Sequence, residues 1–185
     1  MKKIIILALS LTLFNIAMAT EKPTYRVIES SGNMEIRVYD EYFVAKTFFT
    51  GNRSNGFRTL FNYISGANET GEKIEMTSPV TIKELENEKE MTFMIPSRIQ
   101  ESKIPAPTSN NIIIEKIPSR IIAANTYSWF ASKFINKRKS KELKSWIESI
   151  GNYTLESNPI YAGYDSPMTL PYNKRHEMMF VLKEK

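Results

Sequence analysis

The chain has 185 residues, with 25 basic and 20 acidic side chains, a net charge of +5 and no cysteine. The absence of cysteine excludes disulfides, thiolate metal sites and cysteine nucleophiles. The small positive charge is too weak to indicate nucleic acid, so we predict no nucleic-acid partner.

The first 19 residues have the three parts of a secretory signal peptide. Lys2 and Lys3 form a positive start, residues 4–16 are almost wholly apolar, and Ala-Met-Ala ends the segment as a cleavage signal. A spanning helix needs about 20 apolar residues, so we predict cleavage after Ala19 rather than a membrane anchor. We therefore expect an exported protein, periplasmic or secreted, with one domain over residues 20–185 and no membrane span after cleavage.

The first half of the mature chain is predicted to be mostly β-structure with one helix. Val, Ile, Tyr, Phe and Thr are frequent and turn residues separate them, which predicts strands near 25–30, 34–39, 42–50, 74–83 and 90–96. A helical stripe at i, i+3, i+4 and i+7 falls at Phe57, Leu60, Phe61 and Ile64. This spacing predicts a buried helix face over 54–65, with Ser54 as the cap and Gly66 at the end.

The second half repeats this order after an extended, proline-rich connector over 97–110. Strands are predicted near 111–117, 120–128, 160–165 and 176–183. A second helix is predicted near 138–150, ending before Gly151, with its stripe at Leu143, Trp146, Ile147 and Ile150. The lysine-rich segment 131–144 is interpreted as a solvated helix face.

Residues 35–96 and 115–185 thus carry matching patterns in matching order. Such a duplication predicts one fold built from two pseudo-repeats, because neither half could bury its apolar face alone. We predict an α+β fold, with a twisted, largely antiparallel sheet curled toward a barrel and two helices packed on it. The duplication also suggests a binding cleft between the halves.

Patterns of catalytic and metal-binding residues are scarce. The chain has a single histidine, His176, no G-x-S-x-G turn, no dense carboxylate cluster and no glycine-rich phosphate loop. We therefore expect a protein that is not an enzyme. Large soft side chains are plentiful, with 9 Met, 10 Phe, 9 Tyr and 2 Trp, and those outside the core would suit a groove for a flat apolar ligand.

Several short stretches stand in an order and spacing typical of one protein family. They are Pro23–Tyr25, Glu35–Tyr39, Tyr63–Asn68, Met76–Val80, Pro105–Pro107, Ala162–Pro167 and Lys174–Met178. Together with the repeat, these stretches resemble the SOUL heme-binding family over residues 23–183. The resemblance implies a distorted, largely antiparallel β-barrel of two pseudo-repeats flanked by two helices. It also implies binding of heme or a related porphyrin, without catalysis as a defining activity.

The resemblance implies two ways of holding heme. Some members use a histidine as an axial iron ligand in the strand that matches 35–39, but Val38 stands at that position here. Other members hold heme in an apolar groove on the first helix, whose matching positions here are Phe57, Leu60 and Phe61. Cationic side chains that could contact the propionates, by sequence proximity alone, are Arg53, Arg58, Lys174 and Arg175.

His176 stands where the family usually has asparagine. One interpretation makes it a replacement ligand for the heme iron. The other makes it a hydrogen-bonding substitute, since imidazole can donate and accept as an amide does, and we favour this second interpretation.

The leading hypothesis is an exported protein that captures, buffers or carries a tetrapyrrole. Two alternatives stay open. One is a binding module for another flat or cationic amphiphile, resembling bacterial effector-binding domains, in which Glu177 would meet the cation. The other is an enzyme acting on a tetrapyrrole through Asp165, His176 or Glu177, although no pattern places these groups in a shared site. The sequence gives no prediction of oligomeric state.

Overall fold

The computed structural model describes residues 20–185. The predicted signal peptide, residues 1–19, therefore lies outside the described residues. No helix in the described part of the chain is long and apolar enough to cross a membrane.

The described chain forms ten strands and two helices. In chain order they are β1 (Tyr25–Ser31), β2 (Met34–Tyr39), β3 (Tyr42–Phe49), α1 (Arg53–Ile64), β4 (Val80–Glu84), β5 (Lys89–Met94), β6 (Ile113–Ile117), β7 (Arg120–Tyr127), α2 (Lys133–Ile150), β8 (Tyr153–Leu155), β9 (Ile160–Gly163) and β10 (His176–Glu184). The predicted strands match these except in two places. Residues 74–79 are not a strand, because the N–H of Ile74 bonds back to the end of α1 and Pro79 has no N–H to donate. The three-residue strand β8 was too short to predict.

The strands form one antiparallel sheet in the order β1-β2-β7-β10-β9-β4-β5-β3-β6, with β8 also paired to β10. The two halves of the chain interleave in this sheet, since β2 pairs with β7 and β9 pairs with β4. The sheet curls, and both helices pack on its outer face. This architecture confirms the predicted α+β fold, a distorted, largely antiparallel barrel flanked by two helices.

Both helices begin earlier than predicted because different residues cap them. The side chain of Asn52, not Ser54, is the cap of α1 and accepts a hydrogen bond from the Ser54 N–H at 3.1 Å. Ser132 caps α2 by accepting from the Ile135 N–H at 3.2 Å, so the lysine-rich segment is helical from Lys133 onward.

The helices differ in how well their apolar stripes predicted the buried face. Leu143 and Ile147 of α2 are buried, as the stripe predicts. In α1 the prediction is wrong for Phe57 and Phe61, which are 39% and 47% exposed. The reason is Gly56, which faces the sheet so closely that a Cβ atom there would lie 2.6 Å from Cδ1 of Phe49. This close approach turns the two phenylalanines outward.

Alternation along the strands gives the sheet two apolar faces. On the outer face, one core cluster lies under α1 and includes Phe93, and another lies under α2 and includes Phe180. On the inner face a third cluster surrounds Ile122 and Met179, beside a cavity of about 170 Å³. The helices and the cavity are therefore on opposite sides of the same sheet.

Candidate functional site

A groove of about 420 Å³ lies on the outer face, between α1 and α2. Ile82 of β4, Tyr161 of β9 and Met178 of β10 line its sheet side. Its helix side includes Arg53 from α1 and Lys133, Asn136, Lys137 and Ser140 from α2. Residues of both halves thus form one cleft, as the duplication suggested.

At the α1 edge of the groove, Arg53 lines the groove and exposed aromatic rings continue from it along the helix, beside the lining residues. The Arg53 guanidinium lies over the Tyr161 ring, 5.1 Å from its centroid. Phe57 and Phe61 follow Arg53 at steps of four residues, so these three side chains lie along one side of α1. The two phenylalanine rings stack with centroids 5.7 Å apart, and Phe57 packs edge-on against Phe93 at 5.3 Å. We call Arg53, Phe57 and Phe61 the α1 stripe.

Leu60 does not belong to this accessible surface. It is 0% exposed and lies in the core under α1 with Tyr63 and Ile64. The structure therefore places Leu60 beneath the predicted ligand surface, because the side of α1 that carries Gly56 and Leu60 faces the sheet. Leu60 holds the helix in place, and its neighbours Phe57 and Phe61 form the surface.

His176 is buried at the start of β10, and protein groups engage both of its ring nitrogens. Nε2 lies 3.0 Å from the Trp129 carbonyl oxygen, which can only accept, so Nε2 donates. Nδ1 lies 2.9 Å from the Tyr161 hydroxyl and accepts from it. Burial lowers the pKa of His176 and outweighs the hydrogen bond to the Trp129 carbonyl, which acts to raise it. The lowered pKa favours the neutral imidazole. This geometry favours the interpretation of His176 as a hydrogen-bonding residue over that of an iron ligand.

The cationic side chains predicted to contact the propionates lie in different parts of the structure. Arg58 is exposed and lies three residues before Phe61, so it flanks the α1 stripe. Lys174 donates to the Pro167 carbonyl at 3.2 Å. The Arg175 guanidinium points away from the groove, because it donates to the Glu177 carboxylate at 2.7 Å. The structure therefore places Arg175 on the other side of the sheet from the groove, whereas Arg53 and Arg58 lie on α1 with the aromatic rings.

Sequence reasoning missed the second wall of the groove. Lys133 and Lys137 line it from α2, and their four-residue spacing was visible within the lysine-rich segment. That segment was interpreted only as a solvated face, since nothing in the sequence indicates which side of α2 approaches α1. No sequence pattern indicated that Tyr161 would line the groove.

Comparison with known proteins identifies the family. The sequence profile of the SOUL heme-binding protein family matches residues 20–181. The chain belongs to the SOUL family. This confirms the resemblance carried by the short stretches. Among relatives of this SOUL protein, heme-binding protein 2 of Homo sapiens is 29% identical over 186 residues, covering 90% of this chain and 88% of the human protein. Heme-binding protein 1 of Xenopus laevis is 29% identical over 133 residues, or 68% of each chain.

Solved structures share the fold of this SOUL protein at low identity. The C-terminal domain of EcmrR superposes with a TM-score of 0.59 and 15% identity, covering 87% of this chain and 99% of that domain. A hydrolase from Listeria innocua gives a TM-score of 0.58 at 9% identity, covering 82% of this chain and 92% of the hydrolase. At these identities the likeness establishes the fold alone.

On the inner face of this SOUL protein, Glu177 is buried within a complete set of donors. Its carboxylate accepts two hydrogen bonds from Arg37, both at 3.0 Å, and two from Arg175 at 2.7 and 3.3 Å. It also accepts one from Tyr164 at 2.7 Å and one from Thr126 at 3.1 Å. Burial alone would raise the pKa of Glu177, but hydrogen bonds and the charge of Arg37 outweigh it and lower the pKa to about 2. The carboxylate is therefore ionised and already paired with two cations.

The three acid–base candidates of the SOUL protein do not converge. His176 and Glu177 are consecutive strand residues, so their side chains lie on opposite faces of the sheet. Asp165 accepts a hydrogen bond from the Arg175 backbone N–H at 2.6 Å and stabilises the turn before β10. His176 and Glu177 therefore do not face a common site.

Proposed function

We propose that this SOUL protein binds heme or a related tetrapyrrole in the groove between α1 and α2. It captures, buffers or carries that ligand outside the cytoplasm and catalyses no reaction. The observation that carries the proposal is a groove with cations on both walls, continued from Arg53 along α1 by two exposed aromatic rings. Family membership supports the ligand class, since heme binding is the property for which the family is named.

The side chains of the groove fit the two chemical parts of heme. The flat apolar macrocycle matches the exposed rings of Phe57 and Phe61. The propionates match the cations at the groove walls, Arg53 on α1 and Lys133 and Lys137 on α2. We assign no iron ligand to the protein, because the ring nitrogens of the single histidine are both hydrogen-bonded.

Contact area and charge suffice for reversible binding without coordination of the iron. Burying roughly 300 Å² of apolar surface at ~25 cal/mol per Å² contributes about 7–8 kcal/mol. Association opposes this by several kcal/mol, and charge-assisted propionate contacts restore a few. The balance corresponds to micromolar affinity, which suits transient capture rather than a permanently bound group.

Export is the second part of the proposal. The positive start, apolar run and Ala-Met-Ala end of residues 1–19 support cleavage by a signal peptidase. The family match begins at residue 20, directly after the proposed cleavage position, which supports a mature domain starting there. Localisation of a tagged chain, with and without residues 1–19, tests this part.

The competing function, binding of another flat or cationic amphiphile, receives less support. It needs a carboxylate that is free to meet a cation. The oxygens of Glu177 are occupied by Arg37 and Arg175, so this buried acid is a structural acceptor. A ligand panel of porphyrins and cationic dyes, followed by thermal shift, distinguishes the two functions.

Titration with hemin tests the proposal. We expect the protein comprising residues 20–185 to shift the Soret band, and Phe57→Asp together with Phe61→Asp to weaken binding at least about tenfold, since two carboxylates would then border the macrocycle. Phe48→Asp is the matched control, because Phe48 is similarly exposed but lies on the face of β3 opposite to Phe49, the residue that packs under α1. No Soret change with folded wild-type protein would overturn the function. Equal affinities for the double variant and the wild type would overturn the site.

A further inference from the structure

The most exposed apolar side chains of the described chain are concentrated in two segments. They are 54–90% exposed and comprise Trp129, Phe130, Phe134, Met168, Leu170 and Tyr172. No other large apolar residue among those described has more than half of its surface exposed. We call this set the apolar tip. A cluster of this kind on a water-exposed surface indicates a binding surface.

The two segments of the apolar tip are tied together by their backbones. The Trp129 N–H donates to the Pro171 carbonyl at 2.9 Å. The Trp129 carbonyl accepts from the buried His176 at 3.0 Å. Trp129 has φ of +74°, a left-handed conformation that is unfavourable for a bulky side chain and persists only when its surroundings impose it. The fold therefore holds Trp129 in a constrained position with its ring exposed to water.

A cationic helix face adjoins the apolar tip. Phe134 begins a set at i, i+3, i+4 and i+7 on α2, and the following members are Lys137, Arg138 and Lys141. All four are exposed, on the side of α2 opposite the buried Leu143 and Ile147. Residues 128–141 contain no acidic side chain. The first acid, Glu142, pairs with Lys139 at 2.8 Å and more loosely with Arg138 at 3.6 Å, and Lys137 and Lys141 lie outside these pairs. Exposed aromatics and exposed cations thus lie along one surface.

We propose that the apolar tip and the cationic face of α2 dock this protein onto an anionic lipid surface. Trp129, Phe130 and Phe134 enter the interfacial region, where amphipathic aromatic side chains are favoured. Arg138 and Lys141 contact the anionic headgroups, whereas Lys137 lines the adjoining groove. Docking is peripheral and leaves the β-barrel outside the bilayer.

Charge selects this occupant over a second copy of the chain. A two-fold contact through the apolar tip would place the same surface on both sides. The cationic faces would then approach each other, which is unfavourable without anionic groups between them. A bilayer rich in anionic lipid supplies both the apolar interior and the opposite charge.

Co-sedimentation with lipid vesicles tests the proposal independently of heme. The protein comprising residues 20–185 is mixed with vesicles of phosphatidylcholine alone or with phosphatidylglycerol added. We expect binding to the mixed vesicles that weakens as salt increases. Phe130→Ser, Phe134→Ser and Met168→Ser together should weaken binding at least about tenfold, since each removes buried apolar contact. Arg138→Gln and Lys141→Gln should each weaken it about fivefold.

Matched controls lie elsewhere on the molecule. Ile113→Ser removes a 45% exposed apolar side chain on β6, and Lys116→Gln removes an exposed cation on the same strand. We expect both to bind vesicles like the wild type. Hemin affinity should be unchanged in all of these variants, because none of the substituted residues lines the groove or belongs to the α1 stripe.

Three outcomes would overturn the proposal. The first is equal binding to vesicles with and without phosphatidylglycerol. The second is undiminished binding by the Phe130, Phe134 and Met168 variant. The third is a dimer, seen by light scattering, that dissociates in this same variant, which would assign the apolar tip to self-association. Loss of hemin binding with vesicle binding retained would overturn only the proposed heme function.

Discussion

Arg37 and Glu177, 140 positions apart in sequence, form an ion pair with two hydrogen bonds of 3.0 Å on the inner face of the barrel. Arg37 is 1% exposed and Glu177 is 0% exposed. The pair connects β2 to β10 across the intervening strand β7. Because β2 lies in the first half and β10 in the second, it joins the two halves through charged groups that water does not reach.

Replacing Glu177 should strongly destabilise the fold. Glu177→Gln leaves the buried Arg37 and its neighbour Arg175 without their carboxylate, and removing one member of a buried pair costs about 3–5 kcal/mol. Urea unfolding followed by circular dichroism measures the free energy of unfolding. Glu148→Gln is the control, since that carboxylate is exposed on α2 and should change stability by less than about 0.5 kcal/mol. A loss below about 1 kcal/mol for Glu177→Gln would show that water reaches the pair.

The same pair predicts how stability depends on pH. The folded pKa of Glu177, about 2, is below its ordinary value of 4.5. Its contribution is therefore fully present above pH 4.5 and is lost as the pH falls through the folded pKa. As the pH falls from 4.5 toward 2, the urea midpoint of unfolding of the wild type should decrease. The decrease should be smaller in Glu177→Gln. If the urea midpoints of the wild type and of Glu177→Gln fell by the same amount, the pH dependence would not come from Glu177.

His176 should prove structural rather than iron-ligating. His176→Ala leaves the Trp129 carbonyl and the Tyr161 hydroxyl without a partner, so we expect about 1–3 kcal/mol of destabilisation. His176→Asn retains an amide in place of the imidazole and should lose less. Absorption spectra with hemin should keep the same Soret position in both variants. A Soret shift confined to these variants would restore His176 as an iron ligand.

Gly56 should be unusually sensitive to substitution for a helix residue. Replacing a glycine inside a helix by alanine normally stabilises by about 0.5–1 kcal/mol. At Gly56 the new Cβ would lie 2.6 Å from Phe49, so we expect destabilisation of about 1–3 kcal/mol instead. Thermal unfolding measures the effect, with Asn62→Ala on the exposed side of α1 as a control that should be neutral or slightly stabilising. A more stable Gly56→Ala protein would mean that α1 can move away from the sheet.

Local sequence patterns predicted the β-strands well because strand preference and turn residues act over a few neighbours. The strand predicted over 34–39 coincides with β2, and that over 120–128 differs from β7 by one residue. The helix starts were less accurate, since Asn52 competed with Ser54 for the cap of α1. The candidate site was only partly predictable. Phe57 and Phe61 were found, but Lys137 and Tyr161 enter the groove from elements distant in sequence.

The sequence by itself determined the family, the duplicated order of elements and the presence of aromatic residues on the first helix, because these depend on residue type and local spacing. Only the tertiary structure decided which side of that helix is accessible, since this depends on the close fit of Gly56 against Phe49. It also decided the role of His176, whose two nitrogens are engaged by Tyr161 and by Trp129 from another loop. Contacts between residues far apart in the chain give no signal in local periodicity, and those contacts set the chemistry of each side chain.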